Sequence, residues 1–431
     1  MPVSRKRKKK RSSKPVQRTG GRRLTPGQGG EPFGDMFAER RRLDASRQSV
    51  ATKAAQALLP ELVELATTRT GTDLEDALCE RFGPLMLDLD RGSLGEDANP
   101  LVFLDAVIGV TAEAVLDGLD DDGPQSAGWQ GPWRLLVGLG GLTPYPLMER
   151  FVDAVARVRA APGGRVLPAL PDGPAVAGTV LWARDAYGSR FAVVAPIATA
   201  EGSTRWYLWD VDACGFTVVT VDAGYQAGPD EALARWRTNV GEVAGGAATL
   251  TPVDDGWLLS ELLPVGDEGM MRFGGDGLPQ MMEYHRCRRL ADEVRAVVGR
   301  AAPGTTGYPL KDAAAAAAAF TDWRAANRPE AAQHPEYEEL VQELAESWSN
   351  NGPVGLYHTC SPHRVASVAA HLYGYYQADF ADEIVRLLPD WTAWLAERNG
   401  TPADLADRCL TPLREIREEH VEADYFAIVT E

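Results

Sequence analysis

The chain has 431 residues, 45% of them hydrophobic, with 44 Lys and Arg against 61 Asp and Glu and a formal net charge of −17. This composition supports a substantial globular core, and the length predicts two or three domains. No apolar run approaches the roughly 20 residues needed to cross a bilayer, which excludes an integral membrane protein built from helices.

Charge is segregated along the chain. Residues 1–23 hold eleven of the Lys and Arg and no acid, leaving 33 basic side chains to face all 61 acids in the remainder. Like-charge repulsion and little apolar area predict a disordered basic arm over residues 1–32. Arg5, Lys6, Arg7, Lys8, Lys9, Lys10, Arg11 and Lys14 are its polyanion-binding candidates. The arm has no aromatic side chain for base stacking, so any contact with nucleic acid through it is weak, non-specific and salt-dependent. The acidic body opposes such binding. No apolar h-region follows the arm, so it does not read as a secretory signal.

A helical region is predicted over 33–164. Phe37, Arg40, Arg41 and Leu43 suggest a leading helix, and Val50, Ala54, Ala57, Leu58, Val63 and Leu65 continue at helical spacing. A helix carrying Leu74, Leu78 and Phe82 follows. Asn99-Pro100 reads as a cap and first helical residue before an apolar helix through Leu119. A further helix from Tyr145-Pro146 stops at Pro162-Gly163-Gly164.

The period changes over 165–265. Segments 179–184, 190–195, 205–210 and 216–221 are short, rich in β-branched and aromatic residues, and separated by turn-forming residues such as Asp185-Ala186-Tyr187-Gly188. An antiparallel meander is expected. Gly228-Pro229-Asp230-Glu231 opens a helix through Trp236, and Trp257–Leu263 reads as one more strand.

Region 278–431 is again helical. Its stripes include Cys287, Leu290, Val294 and Val297, an alanine run from Ala313 to Ala319, and Leu340, Val341, Leu344 and Trp348. Ser361-Pro362 and Thr401-Pro402 read as helix starts, the latter leading to Leu405, Cys409, Leu413 and Ile416. The predicted architecture is α+β: predominantly helical, with a central antiparallel β-meander packed by N- and C-terminal helical regions.

Several residue groups could carry chemistry. His358, Cys360 and His363 have zinc-ligand chemistry, and with an outside ligand such as His285 or an Asp they form the candidate metal and catalytic set. His371 lies eight residues beyond His363, about 12 Å along a regular helix, too far to share one ion. The Asp88/Asp90 and Asp210/Asp212 pairs have the i, i+2 spacing that puts two carboxylates on one face of a strand, a divalent-cation arrangement. Trp182, Trp206, Tyr207 and Trp209 crowd the meander. Three readings are open for them: a strand buried between layers, an exposed aromatic recognition face, or part of an enzyme pocket.

The glycines of Val137–Leu142 lack the Lys-Ser or Lys-Thr of a phosphate loop, and no nucleophile elbow, metalloprotease helix or kinase signature occurs. The five cysteines are scattered, odd in number and without a CxxC pair, as expected of a reduced cytoplasmic protein. High Ala, Gly, Arg and Asp use resembles the products of GC-rich bacterial genomes. The sequence therefore favours a cytoplasmic, non-catalytic interaction or accessory protein with an unspecified protein partner and no cofactor. One alternative is a metal-assisted hydrolase or transferase with its pocket between the sheet and the C-terminal helices. The other is a nucleic-acid-associated protein acting through the arm.

Overall fold

The computed structural model describes residues 31–90, 100–120, 128–199, 202–215, 218–264, 281–298, 310, 312–329, 336–350 and 352–414. The arm residues Arg5 to Lys14, Asn99 and Ile416 lie outside them. The fold is α+β, with a six-stranded antiparallel sheet flanked by helices.

Five helices come first: α1 (Glu31–Thr68), α2 (Gly71–Asp90), α3 (Pro100–Asp120), α4 (Gln130–Leu142) and α5 (Tyr145–Ala160). The leading helix and its successor are one continuous helix, α1. Leu58, Leu62, Leu78, Phe82, Val107, Val115, Leu135 and Leu136 share a core within this bundle. Asp88 and Asp90 fall in the last turn of α2, so the strand geometry expected of that pair does not arise.

The sheet consists of β1 (Ala175–Val176), β2 (Leu181–Arg184), β3 (Arg190–Ala198), β4 (Thr204–Asp212), β5 (Val219–Gln226) and β6 (Thr251–Pro252). Their order is β5-β4-β3-β2-β6, with β1 also pairing β3. Between β5 and β6 lie α6 (Pro229–Val240) and α7 (Glu242–Gly245). After β6 come α8 (Gly256–Leu262) and α9 (Met281–Val298).

The strand expected at Trp257–Leu263 is instead α8. Asp255 caps it by accepting from the Leu258 amide at 2.9 Å, and Leu258, Leu259 and Leu262 turn inward at helical spacing.

Alternation along the strands builds two apolar faces. Phe191, Val193, Tyr207, Trp209 and Val211 pack against Leu258, Leu262, Cys287, Leu290 and Val294 of α8 and α9. Ala192, Val194 and Leu208 pack on the other side against Ala232, Leu233 and Trp236 of α6. Both faces are therefore covered. Trp182, Tyr207 and Trp209 are buried and Trp206 is partly buried, so these aromatics present no open recognition face. The physical reason is the helix layer on each side.

Helix α9 also ties the sheet to the bundle. Arg286 is 2% exposed and pairs with Glu283, with Asp76 at 2.7 Å and with Glu75 at 3.5 Å. The Tyr207 hydroxyl donates to Glu283, and Arg286 lies 4.8 Å over the Tyr225 ring.

The C-terminal layer comprises α10 (Ala313–Asn327), α11 (Tyr337–Ser349), α12 (Pro362–Tyr375), α13 (Ala378–Val385), α14 (Leu388–Asn399) and α15 (Ala403–Cys409). Phe320, Leu344, Trp348, Val365, Val368, Trp391 and Trp394 form its core. The alanine run packs as the first turns of α10, capped by Asp312. No helix among the described residues is long and apolar enough to cross a membrane.

Candidate metal centre

Two turns at one end of the sheet are held side by side. In the β2–β3 turn, Asp185 Oδ1 accepts from the Ser189 and Arg190 amides at 2.8 and 3.0 Å. Gly188 there has φ +74°, a conformation that suits glycine. In the turn after β4, Asp212 Oδ1 accepts from the Cys214 amide at 2.7 Å. The Ala213 amide donates to the Ser189 carbonyl at 3.0 Å and joins the turns. Ser189 Oγ and Cys214 Sγ then meet at 3.0 Å.

Helix α12 closes the site from the C-terminal layer. Ser361 caps it by accepting from the Arg364 amide at 3.1 Å, and Pro362 supplies a fixed first turn. This start directs His363 to Asp212, with Nδ1 and Oδ2 3.4 Å apart. Arg364 reaches the Cys214 and Gly215 carbonyls at 3.5 and 3.4 Å and also donates to the Trp348 carbonyl. It fastens the β4–β5 turn onto α11 and α12.

One donor atom each from Asp212, Cys214 and His363 then lie within 4.8 Å of one another. Carboxylate, thiolate and imidazole form a zinc-class ligand set. Two ligands at ~2.0–2.1 Å from a tetrahedral zinc ion stand about 3.3–3.4 Å apart. The 3.4 Å between His363 Nδ1 and Asp212 Oδ2 matches that spacing and exceeds an ordinary hydrogen bond.

The electrostatics fit a cation better than a free thiol nucleophile. Burial, followed by the Asp212 and Asp185 carboxylates, pushes the Cys214 thiol well above its usual range. Activated thiols sit instead in electropositive surroundings. Burial opposes ionisation of Asp212 too, but the His363 imidazole and the Cys214 groups outweigh it and hold the carboxyl at about 2. Burial raises Asp185 to about 6 against the pull of its backbone amide donors. Arg364, deeply buried, is brought down to about 10 by desolvation.

The residues singled out from sequence are divided by the fold. His363 and Asp212 meet. Cys360 instead turns toward the C-terminal core, with Sγ 3.9 Å from Thr392 Oγ1 and its carbonyl accepting from Cys409 Sγ at 3.7 Å. His358 is half-buried, and its carbonyl accepts from Asn399 Nδ2. Neither belongs to the converging trio. His285 sits on α9, outside the trio, and His371 stacks on Tyr375.

Asp210 is not in the converging group with Asp212. Asp210 is fully buried and bound by the Arg190 guanidinium at 2.9 and 2.8 Å and by Asn239 at 3.1 Å. Cys214 is the residue that sequence reasoning missed. Its only signal was the short Asp212-Ala213-Cys214 spacing, which carries meaning only once His363 is brought alongside.

No known protein family, curated protein or solved structure matches this chain.

Proposed function

We propose that the protein binds one zinc-class divalent ion through Asp212, Cys214 and His363, and that this centre serves metal-assisted hydrolysis or group transfer between the sheet and the C-terminal helices. The observation that carries the reading is the convergence of three donors of different chemistry from two distant parts of the chain. Charge supports it. The Asp212 carboxylate and the thiolate formed when the Cys214 proton is displaced together balance a divalent ion. The neighbouring Arg190–Asp210 pair is already balanced.

The test is cobalt(II) titration of the full chain. A near-ultraviolet thiolate-to-cobalt band that saturates at one ion per chain, and disappears in Cys214→Ser, is the expected result. A chain that yields no such band refutes the centre. If the band forms but substrate screens of the metal-loaded protein find no turnover, the catalytic part of the reading falls.

A second reading rests on the segregation of eleven cations from an acidic body. We propose that residues 1–32 supply weak attraction to nucleic acid or another polyanion, in an accessory role beside a protein partner. Binding to DNA and RNA that falls steeply with salt and is lost on deleting residues 1–32 supports it. Equal binding by both forms refutes it.

A further inference from the structure

We infer that the ion held by Asp212, Cys214 and His363 keeps a fourth coordination position open to solvent, and that this position accepts a small oxyanion, a carboxylate or phosphate oxygen. The inference rests on the metal-binding reading above and adds a ligand class to it.

The three donors are unevenly buried. Cys214 is inward, 6% exposed and in contact with the Ser189 hydroxyl. The Asp212 and His363 side chains are 20% and 24% exposed. An ion between them has sulfur on its inner side and the more exposed Asp212 and His363 side chains on its outer side, although His363 Nε2 itself is buried. Three protein ligands with a solvent-facing fourth position is the arrangement of catalytic zinc sites, whereas structural sites close with four protein ligands. Among the described residues, no fourth His, Cys, Asp or Glu joins the trio.

Two further features favour an anionic oxygen at the open position. His363 lies in the first turn of the 14-residue helix α12, whose positive dipole end faces the centre. Among the described residues the Arg364 guanidinium bonds to carbonyls of the β4–β5 turn and α11, and it adds an unneutralised positive charge beneath the centre. Asp185, the nearby acid, accepts from the Ser189 and Arg190 amides.

The experiment uses the cobalt-loaded full chain. Sodium acetate and sodium phosphate are titrated separately at constant ionic strength set with perchlorate. The expected result is a saturable shift of the visible cobalt bands with either anion, while the thiolate band persists and shows that cobalt remains bound. A response to acetate alone assigns a carboxylate ligand, and a response to phosphate alone assigns a phosphate ligand. Visible bands that stay fixed through both titrations, with the thiolate band intact, overturn the open position and leave the metal site standing. Failure to form the thiolate band overturns both.

Discussion

Replacing Arg286 with Met tests whether α9 is the keystone between the helical bundle and the sheet. Methionine keeps much of the apolar stem but removes the guanidinium from a position 2% exposed. Glu283 loses its ion pair while still accepting from Tyr207, and Glu75 and Asp76 lose their bridge to α9. Stripping one partner from a buried charge cluster costs ~3–5 kcal/mol. Asp76 is 30% exposed, so water recovers part of its loss and places the expected cost near the lower end, about 3 kcal/mol. The assay is urea unfolding followed by tryptophan fluorescence. Adding Glu283→Gln to Arg286→Met relieves the most buried orphaned carboxylate and is expected to recover at least ~1 kcal/mol. The single variant also gains stability as pH falls toward 5, because Glu75, already raised by burial and now without the opposing Arg286 charge, binds its proton more tightly folded than unfolded. A loss below ~1 kcal/mol for the single variant, with no recovery in the double, refutes the keystone argument.

Other predictions are independent of that cluster. Burial, helped by Arg288, lowers His285 to about 4 from an ordinary 6.5, so its neutral form favours the folded state. This contribution is complete above pH 6.5, is lost as pH falls toward 4, and reaches at most about 3 kcal/mol; His285→Gln flattens the acid limb of the stability profile, and an unchanged limb contradicts the assignment. Ser189→Ala removes the hydroxyl beside Cys214 Sγ and lowers zinc affinity by ~10–100-fold in competition with a chromophoric chelator; unaltered affinity denies Ser189 a supporting role. Asp255→Ala strips the α8 cap and costs about 1 kcal/mol in the same urea assay; no change shows that packing alone fixes α8.

Much of the architecture was legible because it is written in local periodicity. The β3–β4–β5 meander follows from short β-branched and aromatic runs between turn residues, and α12 follows from Ser361-Pro362. Trp257–Leu263 misled because a short apolar run carries no decisive period, and the Asp255 cap then selects a helix. The aromatic crowding of β4 was legible as burial or as display, and the choice needed α8 and α9 in place.

The candidate centre was half legible. Asp212 and His363 were visible as chemistry-bearing residues, but 150 residues separate their positions in the chain and no local pattern pairs them. The His358-Cys360-His363 spacing appeared stronger because those residues are neighbours in sequence. The α12 start sends His363 to the sheet while Cys360 turns into the C-terminal core. Cys214 read as one small hydrophobe among five scattered cysteines, and only the pairing of the two turns sets it beside Ser189 and Asp212.

The most direct measurement is the zinc stoichiometry of the full-length chain by equilibrium dialysis, alongside the folded Cys214→Ser and His363→Gln variants. The account predicts one tightly held ion per chain, with affinity reduced at least ~10-fold in each variant. A folded chain that retains no zinc, or variants that hold it as tightly as the parent, contradicts a centre built from these residues.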